Sequence, residues 1–264
     1  MEIDYGPLID TMTWSVSRIK AFEQCPYGWF LHYILFPDQP GVPKFYTSYG
    51  SFMHSLLEGY YRWELTKEDM LTRFLTGFQT EVRGRRPKPS TVQKYIDSGV
   101  NYLSGFTPLP WETVGVEIKL RFRIQNFPFI GIIDHLGRDE SGLIITDNKS
   151  RELQPRSGRE KPTLKDKELD EMLRQLYLYA VAVEQEYGEL PSKLCFNCFR
   201  NNQLIIEPFQ IDAFEETKKW AIQQIEEIRK TEEFEPNENF FYCPWICEMS
   251  DRCKYNLQTI SERR

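Results

Sequence analysis

Residues 129–149 read FIGIIDHLGRDESGLIITDNK. Two apolar, β-branched runs, FIGII and LIIT, flank the turn-prone RDESG, which is the signature of an antiparallel β-hairpin. With the turn centred between Glu140 and Ser141, Asp134 and Asp147 lie equally far from the centre and face each other. Directly opposed residues have Cβ atoms roughly 4.5–5.5 Å apart. Two carboxylates that close, among apolar neighbours, repel unless they share a proton or bind a cation. Lys149 follows Asp147 by two residues, so strand alternation puts it on the same face. An ammonium beside paired carboxylates fits a hard-metal site that handles phosphate. The competing reading is a hairpin rim of solvated acids.

The 264 residues, 41 % of them hydrophobic, suffice for one domain with an insertion. No apolar run approaches membrane-spanning length. The opening MEIDYGPLIDTM lacks the basic start and apolar middle of a signal peptide. These features lead us to expect an intracellular, cytoplasmic protein with no membrane partner. In that setting six cysteines suggest metal ligands or buried thiols rather than disulfides. The net charge of −6 argues against a broad basic surface that coats duplex DNA. It leaves room for a local groove near two basic clusters: Arg83, Arg85, Arg86 and Lys88, then Arg151, Arg156, Arg159 and Lys161. Charge runs of this kind are usually solvated loops, and that is the competing reading of each cluster.

In TWSVSRIKAFEQCPYGWFLHYILF (13–36), Ser15 or Ser17 is placed to cap a short helix through Glu23. Pro26 suits the first turn of the next helix, and Cys25 falls at the joint. A helix is expected from Ser48 to about Thr66, with His54 and Glu58 on one face. Residues 67–110 read as helical and then irregular, a proline-containing insertion ahead of the sheet. Residues 114–124 alternate as a strand that carries Glu117. After a polar loop, a long helix is expected over Leu164–Tyr187, with Gln175 and Tyr179 stacked four apart and in need of hydrogen-bond partners. Strands at 193–200 and 203–210 meet at Asn201-Asn202, a tight-turn signal, and a helix follows over Ala213–Lys230. Cys195 and Cys198 have CxxC spacing, but the odd offset sends them to opposite strand faces, as structural residues. There is no repeat, no GxxxxGK[ST] phosphate loop and no GxSxG motif.

Near the end, FFYCPWICEMSDRCKY (240–255) concentrates Cys243, Cys247 and Cys253. Three thiolates need a fourth ligand to close a tetrahedral site, and Cys25 is the spare. Four cysteines accept an iron–sulfur cluster or structural zinc, and their spacing does not separate the two.

Taken in order, SxSRIKAFEQCP, His54, GIID with Asp134, the D-x-K of Asp147 to Lys149, and QLYLY resemble the RecB-like nucleases of the PD-(D/E)XK superfamily. The terminal cysteines resemble its iron–sulfur branch, which includes RecB-like exonucleases of CRISPR adaptation and related phage enzymes. Two departures stand out. This chain has C-x₃-C-x₅-C where the branch commonly has CxxC before the last Cys, and Asp where Glu often precedes the lysine.

The resemblance implies an α/β, restriction-endonuclease-like mixed sheet with an αβββαβ core and a helical insertion at 67–110. In a single domain over 1–264, the cysteine segment 240–255 would pack with 13–36. It implies a metal held by His54, Asp134 and Asp147, with Lys149 as the catalytic lysine. Gln175 and Tyr179 would lie near the DNA, and a [4Fe–4S] cluster would sit on Cys25, Cys243, Cys247 and Cys253, with structural Zn²⁺ as the alternative. The expected activity is Mg²⁺- or Mn²⁺-dependent exonucleolytic hydrolysis of DNA, with preference for single strands or free ends, in recombination or repair. Lys149 would orient or deprotonate water, Arg151 would border the DNA, and Glu58 and Glu117 would be outer-shell acids. With no ATP-binding motif, unwinding would fall to a helicase or recombination partner. The rival readings are a non-catalytic DNA-binding adaptor on the same fold and a zinc-stabilised interaction module.

Overall fold

A computed structural model describes residues 4–256. Ser15 accepts from the Arg18 N–H and opens α2 (Val16–Gln24), which follows the short α1 (Gly6–Asp10). Cys25 ends α2 and also caps α3 (Pro26–Phe30), whose first residue is the expected proline. One π-helical turn, Leu31–Leu35, continues α3. The long α4 spans Phe45–Tyr61 and so begins three residues before the expected Ser48.

Residues 67–110 are more regular than the sequence suggests. They form α5 (Lys67–Glu81) and α6 (Pro89–Ser104). The prolines that read as breakers do not break a helix here. Pro89 occupies the first turn of α6, where no N–H is needed and the ring's fixed φ helps. With α4, these helices enclose their own apolar cluster around Phe45, Tyr49, Phe74 and Phe78.

The sheet has five strands in the order β1-β2-β3-β4-β5: β1 (Glu112–Ile124), β2 (Phe127–Asp139), β3 (Gly142–Lys149), β4 (Lys193–Cys198) and β5 (Gln203–Pro208). Only β3 and β4 pair in parallel; the other neighbours are antiparallel. The parallel step needs a long crossover, which α7 (Leu164–Tyr187) supplies. Thr163 and Asp166 form a capping box at its start. Gly188, at φ +73°, ends it in the left-handed conformation that a Cβ disfavours. The run from Leu176 to Val183 is buried on every side, as its composition predicts. It packs with α8 (Ile211–Lys230) and the sheet in the larger apolar cluster.

A last short helix, α9 (Tyr242–Trp245), brings the C-terminal segment back to the first helices, where Tyr27 meets Tyr255 edge-on. Cys195 and Cys198 are both fully buried in β4. Among the described residues, no helix is long and apolar enough to cross a membrane.

Candidate active site

The β2–β3 ladder runs from Asp139↔Gly142 to His135↔Thr146. One more step of the same count sets Asp134 opposite Asp147. The β1–β2 ladder pairs Val116 with His135 and Ile118 with Ile133, so the residue between them, Glu117, falls opposite Asp134. Three carboxylates therefore form a row across three adjacent strands. Glu117 has φ +50°, a conformation that costs a non-glycine residue on the order of 1 kcal/mol or more. Strain at a charged position in mid-strand points to a site rather than to packing.

His54 reaches this row from α4. Its Nδ1 lies 3.4 Å from Asp134 Oδ2. One ligand atom each from His54, Glu117 and Asp134 lie within 4.8 Å of one another. The sequence reading placed His54, Asp134 and Asp147 on the metal and Glu117 outside it. In the structure Glu117 joins the tight group of three, while Asp147 is held from the side by other partners.

Those partners form a network beneath the row. Lys149 Nζ lies 2.6 Å from Asp147 Oδ2 and donates to Gln175 Oε1 at 2.9 Å. Gln175 Nε2 lies 2.9 Å from both Asp147 Oδ1 and the Tyr179 hydroxyl. One amide on α7 thus holds acid and lysine together. The buried Asp147 Oδ2 has the ammonium close by but no hydrogen bond of good geometry, so it keeps acceptor capacity. Between the two lies Asn148, on the opposite face. Its backbone N–H donates to Asp134 Oδ2 at 2.7 Å, while its side-chain oxygen accepts from Asn197, which also donates to the Tyr102 hydroxyl on α6. The insertion helices therefore brace the D-N-K segment from behind.

The electrostatics follow from burial and crowding. Asp134 is held well above the usual carboxylate range, first by desolvation and then by Asp147; the Asn148 N–H opposes the shift. Glu117 is raised by desolvation and by Glu58. His54 is lowered by burial, which favours the neutral ring that metals bind. Oxygen and imidazole donors with mutually destabilised charges suit a hard divalent cation.

Other expected site residues lie apart. Arg151 is exposed and paired with Glu168, and Glu58 pairs with Arg62 at 2.9 Å. Arg156 is paired with Asp170 and Glu207. Arg85 lies over Trp245, and Arg86 packs against Phe45 and Phe78.

Cys25, Cys243, Cys247 and Cys253 line one cavity between α3 and the C-terminal segment. None is in a disulfide. The Gly28 and Asn237 N–H groups point at Cys25 Sγ, at 3.3 and 3.4 Å, and the Asn239 N–H at Cys243 Sγ, at 3.4 Å.

The fold and this centre agree with the sequence comparison. A family model for the PD-(D/E)XK nuclease superfamily matches residues 13–254, and the chain belongs to that superfamily. Among solved structures it is similar to a protein from Eubacterium rectale described as a "putative exonuclease". The two share 11 % identity and superpose with a TM-score of 0.51 over 92 % of this chain and 88 % of that one, a likeness of fold. No curated protein sequence matches the chain.

Proposed function

We propose that this chain is a divalent-metal-dependent deoxyribonuclease that works exonucleolytically on single-stranded DNA or on DNA with free ends. The observation that carries the reading is the row Glu117, Asp134 and Asp147 with Lys149 at its side and His54 above it. His54, Glu117 and Asp134 would hold a Mg²⁺ or Mn²⁺ ion, with Asp147 able to contribute its free acceptor capacity. Such a cation supplies a Lewis acid that polarises the phosphodiester and acidifies water. Lys149, fixed by Asp147 and Gln175, orients the attacking water and offers its ammonium to the charge that grows on the phosphate. Gln175 and Tyr179 keep acid and lysine in register. Burial of the row excludes bulk water, which strengthens each of these interactions.

The second part of the reading is a [4Fe–4S] cluster on Cys25, Cys243, Cys247 and Cys253. Burial pushes the Cys247 thiol up to about 11 and raises Cys253 as well, so without a bound metal these thiols stay protonated. N–H donors aimed at the sulfurs are a feature that tunes such clusters. Four cysteines around one cavity accept such a cluster or a single structural zinc.

Digestion of end-labelled single and double strands with Mn²⁺ or Mg²⁺, against a chelator control, tests the first part. Cleavage should require the ion and vanish in Asp134→Ala. Full activity in that variant sinks the nuclease reading, and a colourless protein that carries zinc and no iron sinks the cluster alone.

A further inference from the structure

Beside the carboxylate row runs a groove of about 540 Å³. Its walls come from α2 (Ser15, Ser17, Lys20), β1 (Lys119), β2 (Ile130, Ile132) and α7 (Met172, Gln175, Tyr179). It shares Gln175 and Tyr179 with the network that holds Asp147 and Lys149. Two features suit it to a ligand. Its floor is apolar, and Ile132 is 45 % exposed there. Its two lysines, on different walls, enter no ion pair among the described residues. Lys20 donates only to the Glu171 carbonyl, at 3.2 Å.

Arg85, Arg86, Arg151 and Arg156 are neutralised or stacked, whereas Lys20 and Lys119 stand open in a groove that adjoins the site. Ammonium groups above an apolar strip complement a polynucleotide, which alternates phosphates with base faces. We propose that this groove is the entry track for a single nucleic-acid strand, in which Lys20 and Lys119 each hold a phosphate next to the reacting one. Burial, and next the neighbouring Lys149, draw the Lys20 ammonium down to about 8, a penalty that a phosphate between the two lysines relieves. The inference rests on the nuclease reading only in placing the reacting phosphate at the carboxylate row.

The test is binding of fluorescent oligothymidylates of increasing length to wild type, Lys20→Gln, Lys119→Gln and the double variant, in chelator so that nothing is cut. Each phosphate contact on a single strand contributes about 0.7 to the slope of log affinity against log salt. The double variant should lose about 1.4 of slope. Its deficit should therefore shrink about sevenfold as salt rises from about 50 to about 200 mM. Lys20→Arg should restore the slope, and affinity should grow with strand length until the groove is filled. An unchanged slope in the double variant overturns the inference, as does binding that inorganic phosphate matches and length does not affect. If wild type binds with these slopes yet never cleaves in Mn²⁺, the hydrolysis reading fails and the track stands. Cleavage in Mn²⁺ with unchanged slopes does the reverse.

Discussion

Gly131, two residues before Ile133 in the GIID run, lies directly under Tyr179 of α7. A Cβ added there would lie 2.9 and 3.0 Å from two ring carbons of Tyr179 and 3.6 Å from Phe122. Ordinary carbon contacts begin near 3.5 Å, so in Gly131→Ala the tyrosine ring must retreat by roughly 0.5 Å. Tyr179 is only 8 % exposed, so the retreat is taken up by α7 or by the ring's tilt. Either way the hydroxyl leaves Gln175 Nε2, now at 2.9 Å, and the amide that ties Asp147 to Lys149 loses its support. Overpacking of this kind costs about 1–3 kcal/mol. A misplacement approaching 1 Å at a reacting centre costs up to about a hundredfold in rate. We therefore expect Gly131→Ala to lower kcat by tens of fold, with stability down by about 2 kcal/mol in urea titration. Gly131→Ala/Tyr179→Leu, which removes the clashing ring, should recover most of the stability but not the rate. Wild-type kcat and stability in Gly131→Ala refute the proposed coupling.

Glu117→Gln should abolish or sharply reduce cleavage while leaving the metal-free protein as stable or more so, because it relieves a carboxylate that desolvation and Glu58 already disfavour; calorimetry in chelator alongside the cleavage assay checks both halves. His135 is 1 % exposed, bonds Thr113 Oγ1 at 3.0 Å on the face opposite Asp134, and is drawn down by burial to about 4. Its ordinary value is about 6.5, so between those pH values the unfolded chain takes up a proton that the native state refuses. Stability therefore falls as pH drops through this window, by about 3 kcal/mol at about 1.4 kcal/mol per unit. His135→Gln should remove that share, so parallel pH–stability curves for the two proteins contradict it. Cys25→Ser should lower Tm and deplete bound iron together, as measured by metal analysis and melting.

Much of the centre was legible because hairpin registers can be counted. The turn at Glu140-Ser141 gives the 134–147 pairing by count, and the β2–β3 ladder keeps that count as far as His135↔Thr146. The same reasoning applied one hairpin earlier would have found Glu117. Ile124 pairs with Phe127 around Gln125-Asn126, and counting back lands Glu117 on Asp134. The register shift between Thr113 and Gly115 lies beyond it. What could not be counted was α4's rotation over the sheet, which decides whether His54 meets Asp134, and the fate of the basic loops. Sequence shows that Arg151, Arg156 and Arg85 are cationic; only packing reveals that Glu168, Asp170 with Glu207, and Trp245 already engage them. The helical content of 82–110 was lost for a third reason, since a proline reads as a breaker unless its position within the first turn is known.

That consumption of basic residues bears on how an acidic protein handles a polyanion. With a net charge of −6, attraction by the whole surface is weak or unfavourable, and any steering must be local. The carboxylate row adds to the repulsion until a cation binds, so nucleic acid and metal should favour each other's binding at this centre. Lys149 cannot offset the row alone, because Asp147 already holds it at 2.6 Å. Cations without ion-pair partners beside the row are what the physics then requires, and Lys20 and Lys119 meet that requirement among the described residues. The same argument gives the salt dependence its meaning: few phosphate contacts imply a shallow slope, so affinity should persist at ionic strengths that strip a broadly basic protein from DNA.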